Sequence, residues 1–224
     1  IFGTVDDGLR LSDVNSHCID AANGCVAAVR DINHLIRVDI NDANNTGIGD
    51  PNFADIGAYE FYKVVNVTRQ CGYLSIQEAI DNAVSGDTIV VAKGTYYENI
   101  NIGSKEITLT SLAPNDPNIV RETIIDGGAG YYAIDIQNTG NFTLSGFTVR
   151  SSNADSIHSY NASVTISKCN IVNNSNGGGV YCVQGDALLI NDCNINDNDT
   201  GIYYENVQNV DIEATIISNN TTRG

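Results

Sequence analysis

The sequence predicts an all-β fold, a parallel β-solenoid, and three observations carry that expectation. First, one segment recurs through the last third of the chain. Its copies read LSGFTVRSS from Leu144, ISKCNIVNN from Ile166, INDCNINDN from Ile190 and IEATIISNN from Ile212, with starts 22, 24 and 22 residues apart. Second, another set runs in phase with it: AIDI from Ala133, SIHS from Ser156, GVYC from Gly179 and GIYY from Gly201, at intervals of 23, 23 and 22. Two strand motifs per repeat with no helix between them describe successive rungs of a solenoid. Third, Ser152, Asn174, Asn198 and Asn220 stand eight positions after each rung start. Asn accepts the left-handed backbone of a tight corner, and stacked amides can bond from rung to rung, so an asparagine ladder is expected.

The elements follow in order. Residues 1–62 hold short apolar pieces among turn residues and end in ADIGAYEFY, and a new unit opens at Lys63. Within it Ser75-Ile76-Gln77-Glu78 is a capping box, with Ser75 as the cap and Glu78 reaching back to it. Ile76, Ala79, Ile80 and Ala83 fall on one helical face, and Gly86 is a natural stop. This helix is expected to cover the first rung, whose strand edge and apolar interior otherwise face water. Strands are expected at Thr88–Val91, around Thr95-Tyr96-Tyr97, at 106–111 and at Thr123-Ile124-Ile125, with a loop over 115–118. In the regular rungs three columns should point inward: Leu144, Ile166, Ile190, Ile212; Phe147, Cys169, Cys193, Thr215; and Val149, Ile171, Ile195, Ile217.

Composition narrows the partners. The 224 residues include 27 acidic and 11 basic side chains, for a formal charge of −16. Nucleic acid and anionic membrane surfaces repel such a chain. No apolar run is long enough to cross a bilayer, and none resembles a secretion signal. The chain opens on Ile1 and is therefore read as a piece of a longer or processed protein whose export signal lies elsewhere. Of the six cysteines, Cys18 and Cys25 could close a small disulfide loop. Cys169 and Cys193 occupy one site in successive rungs, about 4.8 Å apart, where a bridge or two buried thiols would fit. Buried thiols are the expected state of the second region.

The stretch from about Tyr73 to Arg223 resembles the right-handed parallel β-helix proteins of the pectin lyase-like superfamily. SIQEAIDNAVSGDTIVVAKGTYYENINI is similar to the start of such domains in large secreted bacterial surface proteins, and DDGLRLSDVNSHCIDAANG with ADIGAYEF is similar to their end. The closing signature comes first. The resemblance therefore implies the C-terminal end of one module in 1–62, then a capping helix and the first rungs of the next in 63–224. It also implies that adjoining modules, or copies of this chain, meet through open β-helix ends and extend head to tail.

Enzymes of this fold act on acidic polysaccharides with paired carboxylates, or with calcium and a basic residue. The hydrolase motifs, Asn-Thr-Asp, Asp-Asp and Gly-His-Gly in consecutive rungs, do not occur, and Arg121 and Arg150 lack an Asp cluster on neighbouring rungs. No catalytic set is expected in this segment. If Ile134, Ile157, Val180 and Ile202 point inward, then Asp135, His158, Tyr181 and Tyr203 line one outer face. Outward aromatics on a β surface first of all cover their neighbours. With an acid and an imidazole beside them they are also the best carbohydrate-binding candidate.

Asp39, Asn41, Asp42, Asn44 and Asp50 supply oxygen donors of the kind calcium takes, in an acidic turn region without EF-hand spacing. His17, Cys18, Cys25 and His34 fit no common zinc spacing. Sequons at Asn44, Asn66, Asn141, Asn161, Asn173, Asn198, Asn219 and Asn220 are of a number that composition alone produces. The expected role is an extracellular or cell-surface structural or adhesive rod. A carbohydrate-binding module is the alternative, and a polysaccharide lyase or hydrolase with its active rungs elsewhere is the third reading.

Overall fold

The computed structural model describes residues 63–222 apart from 129, 151, 152 and 175. The module expected in 1–62, the calcium loop, the His17–Cys18–Cys25–His34 group and Ser152 of the ladder lie outside the described residues.

An antiparallel hairpin, β1 (Val64–Asn66) and β2 (Cys71–Tyr73), precedes helix α1 (Ile76–Asp81). The first turn holds β3 (Thr88–Val91), β4 (Gly94–Tyr96) and β5 (Ile100–Asn101). The second holds β6 (Thr108–Ser111), helix α2 (Pro117–Glu122), β7 (Thr123–Asp126) and β8 (Ile134–Gln137). Three regular turns follow: β9 (Phe142–Ser145), β10 (Thr148–Arg150), β11 (Ile157–Tyr160); β12 (Val164–Ser167), β13 (Asn170–Val172), β14 (Gly178–Val183); β15 (Ala187–Asn191), β16 (Asn194–Asn196), β17 (Thr200–Glu205). β18 (Asn209–Glu213) and β19 (Ile216–Ser218) form the last described turn. Each third strand joins the same sheet, so three sheets of eight, six and five strands run along the axis. All pairings between turns are parallel. The solenoid expected from the repeats is the observed fold.

The inward columns are observed where the repeats place them. Leu144, Ile166 and Ile190 pair in register, as do Val149, Ile171 and Ile195, and all are buried. Phe147, Cys169 and Cys193 are buried between them. Each fully buried aliphatic or aromatic side chain contributes roughly 1.5–3 kcal/mol, so a column is a larger stabiliser than any one polar contact. The last turn departs from the expectation: Ile212 is 38 % exposed, and Thr215 and Ile217 are only half-buried. They occupy inward positions, but no described rung lies beyond them.

The ladder amides bond along the axis. Asn198 Oδ1 accepts from the Asn174 amide N–H at 3.2 Å, and Asn220 Oδ1 accepts from Asn198 Nδ2 at 3.2 Å. The left-handed backbone, however, falls one residue earlier than expected, on Asn173, Asp197 and Asn219 at φ 59°, 57° and 54°. The ladder Asn thus acts through its amide, and its predecessor makes the corner. Two further corners repeat the device, at Gly146, Lys168, Asp192, Ala214 and at Asn138, Asn161, Gln184, Asn206. Asn66 and Asn198 are buried and hydrogen-bonded through their amides, so these two sequons are closed to glycan attachment in the folded chain.

Helix α1 buries Ile76, Ala79 and Ile80, and Ser75 Oγ accepts from the Glu78 N–H at 3.1 Å. Glu78 bonds the Leu74 N–H and not that of the cap. The stronger cap comes from Glu98, whose two carboxylate oxygens accept from the Ile76 and Gln77 N–H groups at 3.1 and 2.9 Å. The first strand edge is covered by β1, antiparallel to β3, so α1 closes the apolar interior and the hairpin closes the edge. The stretch expected as a loop over 115–118 starts α2, because Asp116 caps it and Pro117 sits at its first position. The described residues of the capped solenoid therefore include a second short helix beside the expected capping helix.

Removing the Asn198 amide should cost about 1–3 kcal/mol, since Asn198→Ala removes the oxygen that accepts from the Asn174 N–H and the amide that donates to the Ile171 carbonyl, both in the interior. Denaturant unfolding measures this, and an unchanged midpoint would contradict a ladder role. Ala214 is exposed with φ 47°, at the corner where an earlier turn has Gly146. Ala214→Gly should stabilise by roughly 0.5 kcal/mol by relieving the left-handed strain, read in the same experiment.

Candidate functional site

The third sheet brings Asp135, His158, Tyr181 and Tyr203 into one outward column, each on the next strand and in register. Alternation along β8, β11, β14 and β17 does this: Ile134, Ile157 and Val180 are buried, and the residue after each must face out. The column contains one more ring than the repeats indicated. Tyr132 stacks on His158 with centroids 4.1 Å apart and planes 6° from parallel. His158 and Tyr181 follow at 5.6 Å and 17°, and Tyr181 and Tyr203 at 4.8 Å and 12°. Tyr132 precedes its strand, and the equivalent positions of later rungs hold Asp155, Gly178 and Thr200, so no periodic signal marks it.

The stacking decides what the column offers. Because the planes lie nearly parallel and follow the rungs, the rings cover one another's faces and present their edges outward. A sugar ring stacks on an open aromatic face, and the faces between Tyr132 and Tyr203 are taken. The column is therefore first a brace on the third sheet, each pair being worth about 0.5–1.5 kcal/mol beyond its buried area. Its polar tips are fixed as well. His158 Nδ1 lies 2.8 Å from Asp135 Oδ1, Gln137 Nε2 donates to Asp135 Oδ2 at 2.8 Å, and the Tyr203 hydroxyl donates to Glu205 at 2.8 Å.

Beside the column a cleft of about 290 Å³ is lined by Asp155, Gly177, Gly178, Tyr181, Asp199, Thr200, Tyr203 and Thr222. Asp155 is half-buried and accepts the Gly178 N–H at 2.8 Å. Burial pushes its carboxyl above the usual range, and the Gly178 bond and nearby His158 pull it only part of the way back. Asp199 is the opposite case. Hydroxyls of Thr222 and Thr221 donate to its carboxylate and hold it below the usual range. Neither Asp155 nor Asp199 repeats from rung to rung, which is why the repeat alignment passed over them.

A second cleft of similar size runs beneath α2, between Pro114, Pro117 and Val120 on one side and Cys169, Cys193 and Ile216 on the other. Cys71, Cys169, Cys182 and Cys193 are free thiols, the last three buried and Cys71 half-buried. Burial pushes the Cys169 thiol up, which suits a packed hydrophobe and not a nucleophile. Arg150 does have an acidic partner on the neighbouring rung, Asp126 at 2.9 Å, but it is one carboxylate and not a cluster. Among the described residues no three His, Cys, Asp or Glu side chains gather closely enough to hold a metal ion. No described helix is long and apolar enough to cross a membrane.

The raised Asp155 gives a pH prediction with a definite sign. A carboxyl that ionises less readily in the folded chain than in the unfolded chain destabilises the fold once both can ionise. Asp155→Asn keeps an acceptor for Gly178 and should raise the melting temperature at neutral pH. The gain should vanish towards about pH 3, where the carboxyl is protonated in both states. Thermal unfolding across that range tests it, and a loss at neutral pH would contradict the burial argument.

A family model described as a right handed beta helix region matches residues 111–224. No curated protein and no solved structure matches the chain. The matched half of the chain is the succession of rungs from β7 to β19, and the chain belongs to the right-handed β-helix family.

Proposed function

We propose that the chain is a structural and adhesive module of an extracellular or cell-surface protein, a stiff segment that joins adjoining modules or further copies of itself end to end. The observation that carries this reading is the unbroken parallel register of the three sheets, in which each described rung is bonded to the next. A stack of this kind extends by adding rungs, and the inward residues of the last described turn, Ile212 and Ile217, continue the buried columns in a position that a further rung covers. The sides are built from short corners.

A second reading, glycan binding, is favoured by one feature, the cleft beside Tyr181 and Tyr203. It combines carboxylates with the hydroxyls of Thr200 and Thr222 in a volume of about 290 Å³. The ring edges and polar groups there suit hydrogen bonding to a sugar better than stacking on it.

Electron microscopy of the native chain separates the two. End-to-end association should give rods or filaments with a repeat of one module, and Ile212→Asp with Ile217→Asp should reduce them to single particles. Isolated short particles at all concentrations would remove self-association and leave the module as part of a larger rod or a glycan binder.

A further inference from the structure

The face carrying the ring column bears charge of one sign. Asp135 and Glu205 lie on the third sheet, Asp155 and Asp199 lie beside it, and none of its five strands contains Lys or Arg. Cations elsewhere among the described residues are held away from it. Lys105 caps the carbonyls of Ile80 and Asp81, Arg150 pairs with Asp126, Lys93 with Glu122, and Lys168 reaches Asn115. An acidic polysaccharide approaching this face meets the repulsion of these carboxylates.

The cleft has a shape that concentrates this charge. Asp155 stands one rung before the Gly177–Gly178 pair and Asp199 one rung after it. Between the two carboxylates the middle rung has glycines, which keep the notch open: a Cβ on Gly177 would lie 2.0 Å from the Ala154 carbonyl oxygen, and one on Gly178 2.8 Å from the Asp155 carboxylate. Two carboxylates thus bracket a notch two rungs wide, roughly 9.6 Å along the axis. Tyr181, Tyr203, Thr200 and Thr222 put hydroxyls between and around them.

We infer that this cleft binds a glycan bearing free amino groups, a glucosamine-type oligosaccharide whose ammonium groups meet Asp155 and Asp199 while its hydroxyls bond the tyrosines and threonines. The inference rests on the glycan-binding reading above. An ammonium group compensates a half-buried carboxylate that a neutral sugar would leave unpaired, and charge-assisted bonds are about twice as strong as neutral ones. Burial raises the Asp155 carboxyl, and an ammonium group beside it would favour its ionised form. The row of hydroxyls distinguishes a sugar from a basic peptide, whose lysine side chains have no use for them.

Calorimetric titration of the full chain tests it with four probes: a short glucosamine oligosaccharide, its fully N-acetylated counterpart, a galacturonic acid oligosaccharide and oligolysine. The amine-bearing sugar should bind, and its affinity should fall about tenfold or more in Asp199→Asn and in Asp155→Asn/Asp199→Asn. The N-acetylated sugar should bind at least about tenfold more weakly, and raised salt should weaken the amine-bearing sugar alone. Asp199 is the safer site because its side chain is not a packing element; circular dichroism checks that the double variant is folded. Equal binding of the N-acetylated sugar overturns the amine requirement and leaves the glycan reading standing. Failure of every sugar overturns both. Oligolysine binding as tightly as the amino sugar, with the same loss in Asp199→Asn, overturns the inference in favour of a basic peptide.

Discussion

Every turn of this chain is fastened to the next by backbone hydrogen bonds that run along the solenoid axis, and those bonds require the corners to fall at the same place in each turn. Three corners per rung are set by residues in the left-handed conformation, in columns that end at Asn206, Ala214 and Asn219. Any slip of one residue would turn an inward column outward and expose a line of aliphatic side chains. The insertions that lengthen one interval to 24 residues are therefore confined to corners, where the chain can bulge without disturbing the paired strands. The inward columns, the asparagine ladder and the ring column all presuppose this register. None of them could set it alone, because each is a side-chain stack that exists only once the strands are aligned.

How the register is closed at its ends explains the distribution of burial. The first turn is sealed twice, by a helix over its interior and an antiparallel hairpin along one edge, and its columns are fully buried from Ile89 and Ile100 onward. The last described turn has no cover among the described residues, and its inward residues Ile212 and Ile217 are less buried than their counterparts Ile190 and Ile195. A solenoid built from nearest-neighbour interfaces loses one interface at an open end, so its outer rung is its weakest.

The fold was legible in the sequence to the extent that it is periodic. Leu144, Ile166 and Ile190 could be placed inward because they recur at one phase. What does not recur was misread or missed. The repeats point to the ladder Asn as the left-handed residue, but its neighbour makes the turn; the two are adjacent in every copy and the repeat pattern cannot separate them. Glu98 caps α1 from 21 and 22 residues away, a contact that no local capping pattern records. The outward column of Asp135, His158, Tyr181 and Tyr203 was legible, but the tilt of its rings was not. That tilt changes its chemistry, because stacked faces brace a sheet whereas open faces hold sugars. Asp155 and Asp199, which border the cleft, were invisible to a search for repeats since each occurs in a single turn.

Native-state hydrogen exchange of the full chain in dilute solution tests the dependence on rung-to-rung bonding most directly. A gradient is expected: amides of β12 and β15, bonded on both sides, should exchange only through global unfolding, while those of β18 and β19 should exchange much earlier through fraying of the last described turn. Equal protection of β18 and β19 in a monomeric sample, or early exchange in β12 and β15, would contradict it.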